Sequence, residues 1–522
     1  MEWPKKLARV YIPPMRAICI TGAAVFCMAL IACGGNGTAT RASTTTAAPA
    51  ATEPATATTT TSPTASGGHT TVPQANPTAI VLNPSIADAL SCRVPPVRPA
   101  TGPGAGAFQR YDLTAFPLAA CNDGSPAVLY FRPYAGEPNR NKWLIVLNGG
   151  GGCDSGEECA KRWCGVDTNF NADNMSTANA GNGVAGGGIL AREAGNPFAD
   201  YNQVEVRYCT SDAWAGRGMA VTTSATDPKT GAVVTYQINF AGAHVYEAVL
   251  ATLRQDGVPA LVYHRDNTAM PDLDDAAEVV FAGGSAGGAG VINNLDRLAD
   301  MLREGPNKPV VRGFVEAIVG PDRSLLGYDS ATFCKENGVC SYEALYKGIY
   351  ARQTADGGQR SWTDDSCIEW HQANEPGTEW QCYDPNHLLA NHITTPYFVR
   401  TSLTDQLLSS NFIDAGFTTA TGQPLTILEY GRATAAFVNG LQSAVNRGHE
   451  HETVPVLPGV FAPSCSTHYT LLQSDLVNGV SISVAGGPAY TLFDAWNHWV
   501  AGTGPSVIVT SAPRTDVCPG ER

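Results

Sequence analysis

AEVVFAGGSAGGAGVINNLDRLADML, residues 277–302, places a serine between a strand pattern and a helix pattern. Residues 277–282 are mostly apolar, which predicts a buried strand, and residues 291–302 carry apolar side chains at helical spacing. Between them, GGSAG at 283–287 matches G-x-S-x-G, the nucleophile elbow, in which a sharp turn presents a serine hydroxyl. The chain has 54 glycines, so this short pattern is weak alone, and the strand before it and the helix after it carry the argument. We predict that Ser285 is a nucleophile; the alternatives are a structural glycine turn or a phosphate-binding loop without its usual lysine.

A run of four glycines follows an earlier strand pattern. Residues 143–147 (WLIVL) predict a buried strand, and glycines 149–152 come shortly after it. A serine that attacks a carbonyl needs two backbone N–H groups that point to the oxygen on which negative charge develops. The residue after the serine, Ala286, supplies one in this kind of site, and a glycine-rich loop after an earlier strand supplies the other. We therefore predict an oxyanion hole formed by Ala286 with Gly150 or Gly151; the alternative is a flexible loop that only turns the chain.

Short apolar runs alternate with helical patterns along the rest of the folded part. Such alternation predicts parallel strands joined by crossover helices. The further strand candidates are residues 203–208, 310–319 and 396–401, and a helix is predicted at 243–254. Residues 323–391 contain four cysteines and show no clear periodicity, which predicts an insertion held by disulfides that covers the site. The predicted fold class is α/β: a three-layer αβα sandwich like that of the α/β-hydrolases, with a mostly parallel sheet.

Several segments together resemble the pectin acetylesterase/Notum family, and the resemblance spans most of the folded chain. They are LNGGGGCDSGEEC (147–159), NPFADYNQVEVRYC (196–209), FAGGSAGGAGVINNLDRLADML (281–302) and APSCSTH (462–468). One departure is Gly152, where many relatives carry an aromatic residue before the cysteine, so the acyl pocket or the rigidity of this loop is expected to differ.

The resemblance implies a catalytic triad. Members of this family are carboxylic ester hydrolases that release acyl groups from glycans or acylated proteins with a Ser-Asp-His triad and no metal. By resemblance, the acid is Asp405, which follows PYFVRTSLT, and the base is His468. The order Ser285, Asp405, His468 is also the chain order of α/β-hydrolase triads.

Other residues compete for two of these roles. Asp322, at the end of VRGFVEAIVGPD, is an alternative acid. His498 lies among aromatic residues, which favours a packed histidine over a base, and His449 and His451 lie in a charged stretch.

The predicted function is a serine carboxylic ester hydrolase that removes acyl groups, acetyl foremost, from a glycan or another extracellular ester. Two alternatives remain open: a hydrolase of longer acyl esters or polyesters, and a catalytically silent surface lipoprotein that binds glycan. The expected substrate is an acylated polysaccharide. We expect no cofactor and no metal, and a monomer.

The N-terminus has the pattern of a lipoprotein signal. Basic residues precede an apolar stretch at 17–32 that is short for a membrane span, and LIACG (30–34) resembles the bacterial lipobox. This predicts a lipid anchor at Cys33 in an exported protein of the cell envelope; the alternative is an ordinary cleaved signal peptide and a secreted protein. After Cys33 the chain is rich in Thr, Ala, Ser and Pro, which is typical of a disordered tether. The predicted organisation is a signal peptide at 1–32, the lipidated cysteine and tether at 33–77, and a hydrolase domain at 78–522.

Charge and cysteine content exclude some function classes. With 33 basic and 47 acidic residues the formal net charge is −14, which argues against nucleic acid as a partner.

The sequence contains 15 cysteines. Cys19 and Cys27 are predicted to be removed with the signal peptide, and Cys33 is predicted to be lipidated, so 12 remain. This even number favours disulfides in an oxidising compartment. No Cys-x2-Cys pair or Cys/His cluster stands out as a zinc site.

Overall fold

A computed structural model describes residues 80–92, 108–166, 170–254, 271–328, 342–447, 456–484, 487–515 and 518. The predicted signal peptide, the predicted lipid anchor at Cys33 and the tether lie outside these residues. Within the described ranges, no helix is both long enough and apolar enough to cross a membrane.

A central sheet of ten strands forms the middle layer. The strands of the described chain are β1 (Phe108–Asp112), β2 (Val128–Arg132), β3 (Lys142–Leu147), β4 (Gly183–Val184), β5 (Asn202–Val206), β6 (Gly218–Thr226), β7 (Val233–Phe240), β8 (Glu278–Gly284), β9 (Val310–Glu316), β10 (Leu326–Tyr328), β11 (Tyr397–Arg400), β12 (Phe417–Thr419), β13 (Gly459–Ala462), β14 (Ser481–Ser483), β15 (Ala489–Thr491) and β16 (Val507–Val509).

The order of the large sheet is β16-β13-β11-β9-β8-β3-β5-β2-β1-β4. From β16 to β5 all neighbours are parallel, and β2, β1 and β4 add an antiparallel edge. The register aligns Gly284 of β8 with Glu316 of β9, Arg400 of β11 and Phe461 of β13. Because parallel strands present their carboxyl ends at one edge, the segments that follow these four residues meet there. The remaining strands form three separate pairs: β10 with β12, β14 with β15, and β6 with β7.

Helices cover both faces of this sheet. They are α1 (Ile86–Ala89), α2 (Gly156–Cys164), α3 (Gly242–Leu253), α4 (Ala286–Arg303), α5 (Tyr342–Thr354), α6 (Asp365–Asn374), α7 (Pro385–Asn391), α8 (Gln406–Asp414), α9 (Ile427–Arg447), α10 (Ser474–Val477) and α11 (Leu492–Ala501). Short 3-10 turns occur at Glu137–Asn139, Ala172–Asn174, Gly188–Leu190, Arg323–Leu325 and Glu379–Tyr383.

Successive side chains of the central strands enter two different cores, as the period of two of a strand requires. On β3, Ile145 packs in the core that includes α3, α4 and α9, whereas Leu144 packs in the core beneath α11. Both side chains are buried, so the sheet is covered on its two faces. The predicted α/β class, with a three-layer arrangement and a mostly parallel sheet, is confirmed.

The predicted elements are confirmed with shifted ends. The strand predicted at 203–208 ends at Val206, and the helix predicted at 291–302 begins five residues earlier, directly after Ser285. The strand predicted at 310–319 ends at Glu316, because the next residue, Ala317, has a φ of 54° that turns the chain out of the sheet.

The predicted insertion contains α5, α6 and α7, although its sequence shows no clear helical period. It packs against the chain that follows the glycine run: the Gln359 side-chain amide donates to the Cys153 carbonyl at 2.7 Å, and Arg352 Nε lies 2.9 Å from an Asp154 carboxylate oxygen. A disulfide between Cys367 and Cys382 holds it, as expected.

Cysteine pairing agrees with the predicted disulfide framework. The disulfides among described residues are Cys92–Cys164, Cys121–Cys209, Cys153–Cys159, Cys367–Cys382 and Cys465–Cys518. Two of the twelve cysteines, Cys334 and Cys340, lie outside the described residues.

Candidate active site

Ser285 lies at the turn between β8 and α4. Its backbone has φ 57° and ψ −121°, a conformation that non-glycine residues seldom adopt. The Ser285 N–H donates to the Glu316 carbonyl at 2.9 Å, which holds this turn against the end of β9. The side chain therefore stands at the carboxyl edge of the sheet, where the following strands also end.

Two glycines make this turn sterically possible. A Cβ atom on Gly287 would lie 1.9 Å from the carbonyl oxygen of Leu147, at the end of β3. A Cβ atom on Gly149 would lie 2.5 Å from the Gly284 oxygen and 3.0 Å from the Ser285 Cβ. Both positions exclude any larger residue, so the glycine run and the serine turn are in direct backbone contact.

Ser285, His468 and Asp405 form a continuous hydrogen-bonded chain. His468 Nε2 lies 2.8 Å from Ser285 Oγ, and His468 Nδ1 lies 2.8 Å from Asp405 Oδ2. An ionised carboxylate only accepts, so Nδ1 carries the proton and Nε2 is left to accept the serine hydroxyl proton. Of the His468 side chain, 18% is exposed, which leaves the imidazole within reach of a small molecule.

Asp405 is fully buried and also caps a helix. Its Oδ1 accepts the N–H of Leu408 at 2.9 Å, which caps the first turn of α8. One carboxylate oxygen is thus fixed by the helix, and the other is directed at His468.

The pKa of His468 lies above its ordinary value. Burial of the imidazole lowers this pKa, but the negative charge of Asp405 and the hydrogen bond to it more than offset that effect. The Glu316 carboxylate raises the pKa further, and Arg400 lowers it. The site therefore stabilises the imidazolium form, the form that a general base takes after it accepts a proton.

Glu316 and Arg400 support the loop that carries His468. The buried Glu316 carboxylate accepts the N–H groups of Thr470 and Leu471 at 2.9 and 2.8 Å, and Arg400 Nη1 lies 3.1 Å from it. Sequence reasoning missed both residues. The signal was present: each charged side chain directly follows two apolar strand residues, Phe314-Val315 or Phe398-Val399, and a charge can be buried there only when it is compensated.

Arg162 holds the glycine run from the other side. Its guanidinium donates to the Gly150 carbonyl through Nη2 and to Ser211 Oγ through Nε at 3.0 Å, and it lies over the Phe170 ring at 4.7 Å. Burial lowers the pKa of Arg162 to about 10, so the side chain stays charged at neutral pH. In a trans peptide the C=O and the next N–H point in opposite directions, so the Gly151 N–H points away from Arg162.

The alternative candidates do not contact these residues through any hydrogen bond of the described chain. The Asp322 carboxylate accepts from the Ser324 N–H at 2.9 Å and the Ser324 hydroxyl at 2.7 Å, which caps a short turn. His498 Nδ1 lies 2.7 Å from the Thr503 carbonyl oxygen. His449 and His451 lie outside the described residues.

Comparison with known proteins identifies relatives over most of the chain. The profile of the family described as Pectinacetylesterase matches residues 113–515. The palmitoleoyl-protein carboxylesterase NOTUM of Schmidtea mediterranea is 27% identical over 402 residues, 76% of this chain and 64% of that protein. Its Homo sapiens counterpart is 27% identical over 361 residues, 68% of this chain and 60% of that protein. The matched part of the chain thus spans about six tenths of the length of these relatives.

A solved structure shares the fold. The structure of the Wnt deacylase Notum from Drosophila superposes with a TM-score of 0.53 at 23% identity, and the match covers 78% of this chain and 98% of that one. A second crystal form gives the same TM-score.

The choice between Asp405 and Asp322 can be tested on the imidazole itself. In Asp405→Asn the pKa of His468 is expected to fall by about 1 to 3, because the charge of Asp405 no longer opposes the effect of burial. The matched control Asp322→Asn should leave it unchanged. The measurement is an NMR titration of the His468 ring protons, with circular dichroism as the check on folding. An unchanged pKa in folded Asp405→Asn, or a fall in Asp322→Asn, would contradict the assignment.

Proposed function

Since the chain belongs to the pectinacetylesterase family, we propose that it is a serine carboxylic ester hydrolase that removes acyl groups from an extracellular substrate. One observation carries the proposal: two hydrogen bonds of 2.8 Å join Ser285, His468 and Asp405 in the order that a triad requires. The names of the relatives support it, since pectinacetylesterases and palmitoleoyl-protein carboxylesterases are named for the cleavage of acyl esters.

The first half-reaction forms an acyl-enzyme. Ser285 Oγ attacks the ester carbonyl carbon while His468 Nε2 takes the hydroxyl proton, and the carbonyl π electrons move to the oxygen. When the tetrahedral intermediate collapses, the bond to the alcohol oxygen breaks and His468 gives that oxygen its proton. Asp405 keeps the imidazole in the reactive tautomer and stabilises its cation.

Water completes the reaction by the same route. His468 takes a proton from a water molecule as its oxygen attacks the acyl carbon, and returns the proton to Ser285 Oγ as that bond breaks. The products are the carboxylic acid and the free serine, so every proton and bond is accounted for without a cofactor or a metal.

The oxyanion is stabilised by the N–H of Ala286 together with that of Gly150 or Gly151. Gly149 brings the glycine run against Ser285, and the bond from Arg162 to the Gly150 carbonyl turns the Gly151 N–H in the opposite direction. One such donor is worth about 3 kcal/mol of transition-state stabilisation.

We assign the acyl group as acetyl and the substrate as an acylated polysaccharide, following the family description. The relatives named for palmitoleoyl esters favour the second candidate, a hydrolase of longer acyl chains. The disulfides support export to an oxidising compartment. The lipid anchor at Cys33, the domain limits and the monomeric state stay predictions.

Removal of the nucleophile is the direct test of the reaction. In Ser285→Ala, kcat for p-nitrophenyl acetate should fall by at least about 10³-fold, because only binding and oxyanion stabilisation remain. The control is Ser224→Ala on the exposed face of β6, which should keep the wild-type rate. A fluorophosphonate probe should label the wild type and Ser224→Ala but not Ser285→Ala. Wild-type protein that neither reacts with the probe nor hydrolyses the ester would instead support the silent glycan-binding lipoprotein.

The rate should depend on pH through the base. His468 must be neutral to accept a proton, so kcat/KM should fall on the acid side as the imidazole becomes protonated. Since Asp405 raises the pKa of His468, the apparent pKa of this limb should lie above about 6.5. The measurement is a pH-stat profile from about pH 5 to pH 9. A limb centred well below about pH 6.5 would contradict the assignment of His468 as the general base.

A series of acyl chains separates the two substrate candidates. We expect kcat/KM to be highest for p-nitrophenyl acetate and to fall for butyrate, octanoate and palmitoleate esters. Release of acetate from acetylated polysaccharide, followed by chromatography, extends the test to a polymer. A rate that rises with chain length would replace the acetyl assignment with the longer-acyl alternative but leave the triad in place.

A further inference from the structure

Three imidazoles converge at the C-terminal end of the insertion. His371 lies on α6, His387 lies on α7, and His392 directly follows α7. We call these three residues the histidine cluster. Their ring centroids are 5.1 to 5.7 Å apart, and each ring offers a nitrogen within 4.8 Å of the others. His371 and His392 are buried, at 1% and 0% exposure, and His387 is half-buried.

We propose that the histidine cluster is a binding site for a Zn²⁺ ion. Neutral imidazole nitrogens are the common ligands of zinc, at about 2.0 to 2.1 Å. Two nitrogens on one tetrahedral zinc are then about 3.3 Å apart. His371 Nε2 and His387 Nε2 are 3.0 Å apart and share a hydrogen bond, which an ion bound to both nitrogens replaces after a small displacement of the rings. The His392 ligand nitrogen lies within 4.8 Å of these two atoms, so this ring must move closer to share the ion.

The far side of the His371 ring has the partner that a zinc-bound histidine has. His371 Nδ1 lies 2.6 Å from the Thr378 hydroxyl, and that hydroxyl donates to the Glu375 carbonyl, so it accepts the Nδ1 proton and leaves Nε2 for the metal. The Asn391 side-chain nitrogen lies 3.1 Å from His387 Nδ1 and donates to the His387 carbonyl at 3.2 Å. Zinc binding through His387 Nε2 therefore requires the Asn391 side chain to turn away from Nδ1.

Acidic groups near the cluster favour a cation. The Asp364 carboxylate, which caps α6, interacts electrostatically with His392 and with a second carboxylate, Asp296. The Asp296 carboxylate accepts the N–H groups of Thr394 and Thr395, two and three residues after His392. Three neutral ligands leave both charges of the ion uncompensated, and these two carboxylates supply the opposite charge.

Cys367 also lies within ligand distance, but its sulfur is bonded to Cys382 and therefore is not a thiolate. The protein ligands are thus the three imidazoles, and water takes the fourth position. The ion ties α6 to α7 beside the disulfide, in the insertion that contacts the chain after the glycine run through Gln359 and Arg352. This role is structural and does not depend on the proposed ester hydrolysis.

The test measures metal binding by the intact, untagged protein. After dialysis against a chelator and then against buffer, wild-type protein should retain one equivalent of added Zn²⁺ through gel filtration, measured by plasma mass spectrometry. At 100-fold excess over Kd, the ion should raise Tm by about 3 °C.

His387→Gln is the variant of choice because its side chain is half-buried and its loss disturbs the core least. It should weaken zinc binding by at least about 10-fold. The matched control His498→Gln, a half-buried helical histidine outside the cluster, should bind zinc as the wild type does.

Three results would overturn the proposal. They are wild-type protein that retains no zinc, His387→Gln that binds as tightly as the wild type, and His498→Gln that loses the ion. The wild-type titration needs no variant, so the test stands even if His387→Gln fails to fold.

Discussion

Glu316 connects the three segments that carry the proposed triad. Its own carbonyl accepts the Ser285 N–H, its carboxylate accepts two N–H groups just after His468, and Arg400 contacts it five residues before Asp405. A buried carboxylate without partners would cost several kcal/mol, and hydrogen bonds with an opposite charge offset that cost. The same contacts that keep Glu316 in the core therefore fix how the serine, imidazole and aspartate face one another.

Backbone geometry supplies the rest of the site. Ser285 occupies a strained conformation, which costs about 1 to 3 kcal/mol and persists only when its surroundings hold it. Gly287 and Gly149 allow β3 and the glycine run to touch this turn, and Arg162 sets the direction of the peptide between Gly150 and Gly151. A turn of this kind depends as much on the absence of side chains at its neighbours as on the serine.

The insertion is held in a different way from the sheet. Its helices are short, so helical propensity contributes little to their stability, and they depend on cross-links and packing. The Cys367–Cys382 disulfide joins α6 to the 3-10 turn that precedes α7, and the histidine cluster lies beside it at α6 and α7. The disulfide and the proposed ion restrain this part of the insertion, and Gln359 and Arg352 contact the loop that follows the glycine run.

Local signals in the sequence were enough to predict the strand, turn and helix around Ser285, the glycine run and the α/β class. These features depend on residues a few positions apart, whose periodicity and size are visible in the sequence itself. The assignment of Asp405 and His468 needed the resemblance to a family, because no local pattern distinguishes Asp405 from Asp322.

Only the tertiary structure decided the contacts between distant residues. The register that aligns Gly284, Glu316 and Arg400 brings together segments separated by up to 183 residues, as between Ser285 and His468. The bond from Arg162 to Gly150 and the convergence of the histidine cluster arise in the same way. Spacing along the chain does not reveal them, because they exist only once parallel strands end at one edge and helices pack side by side.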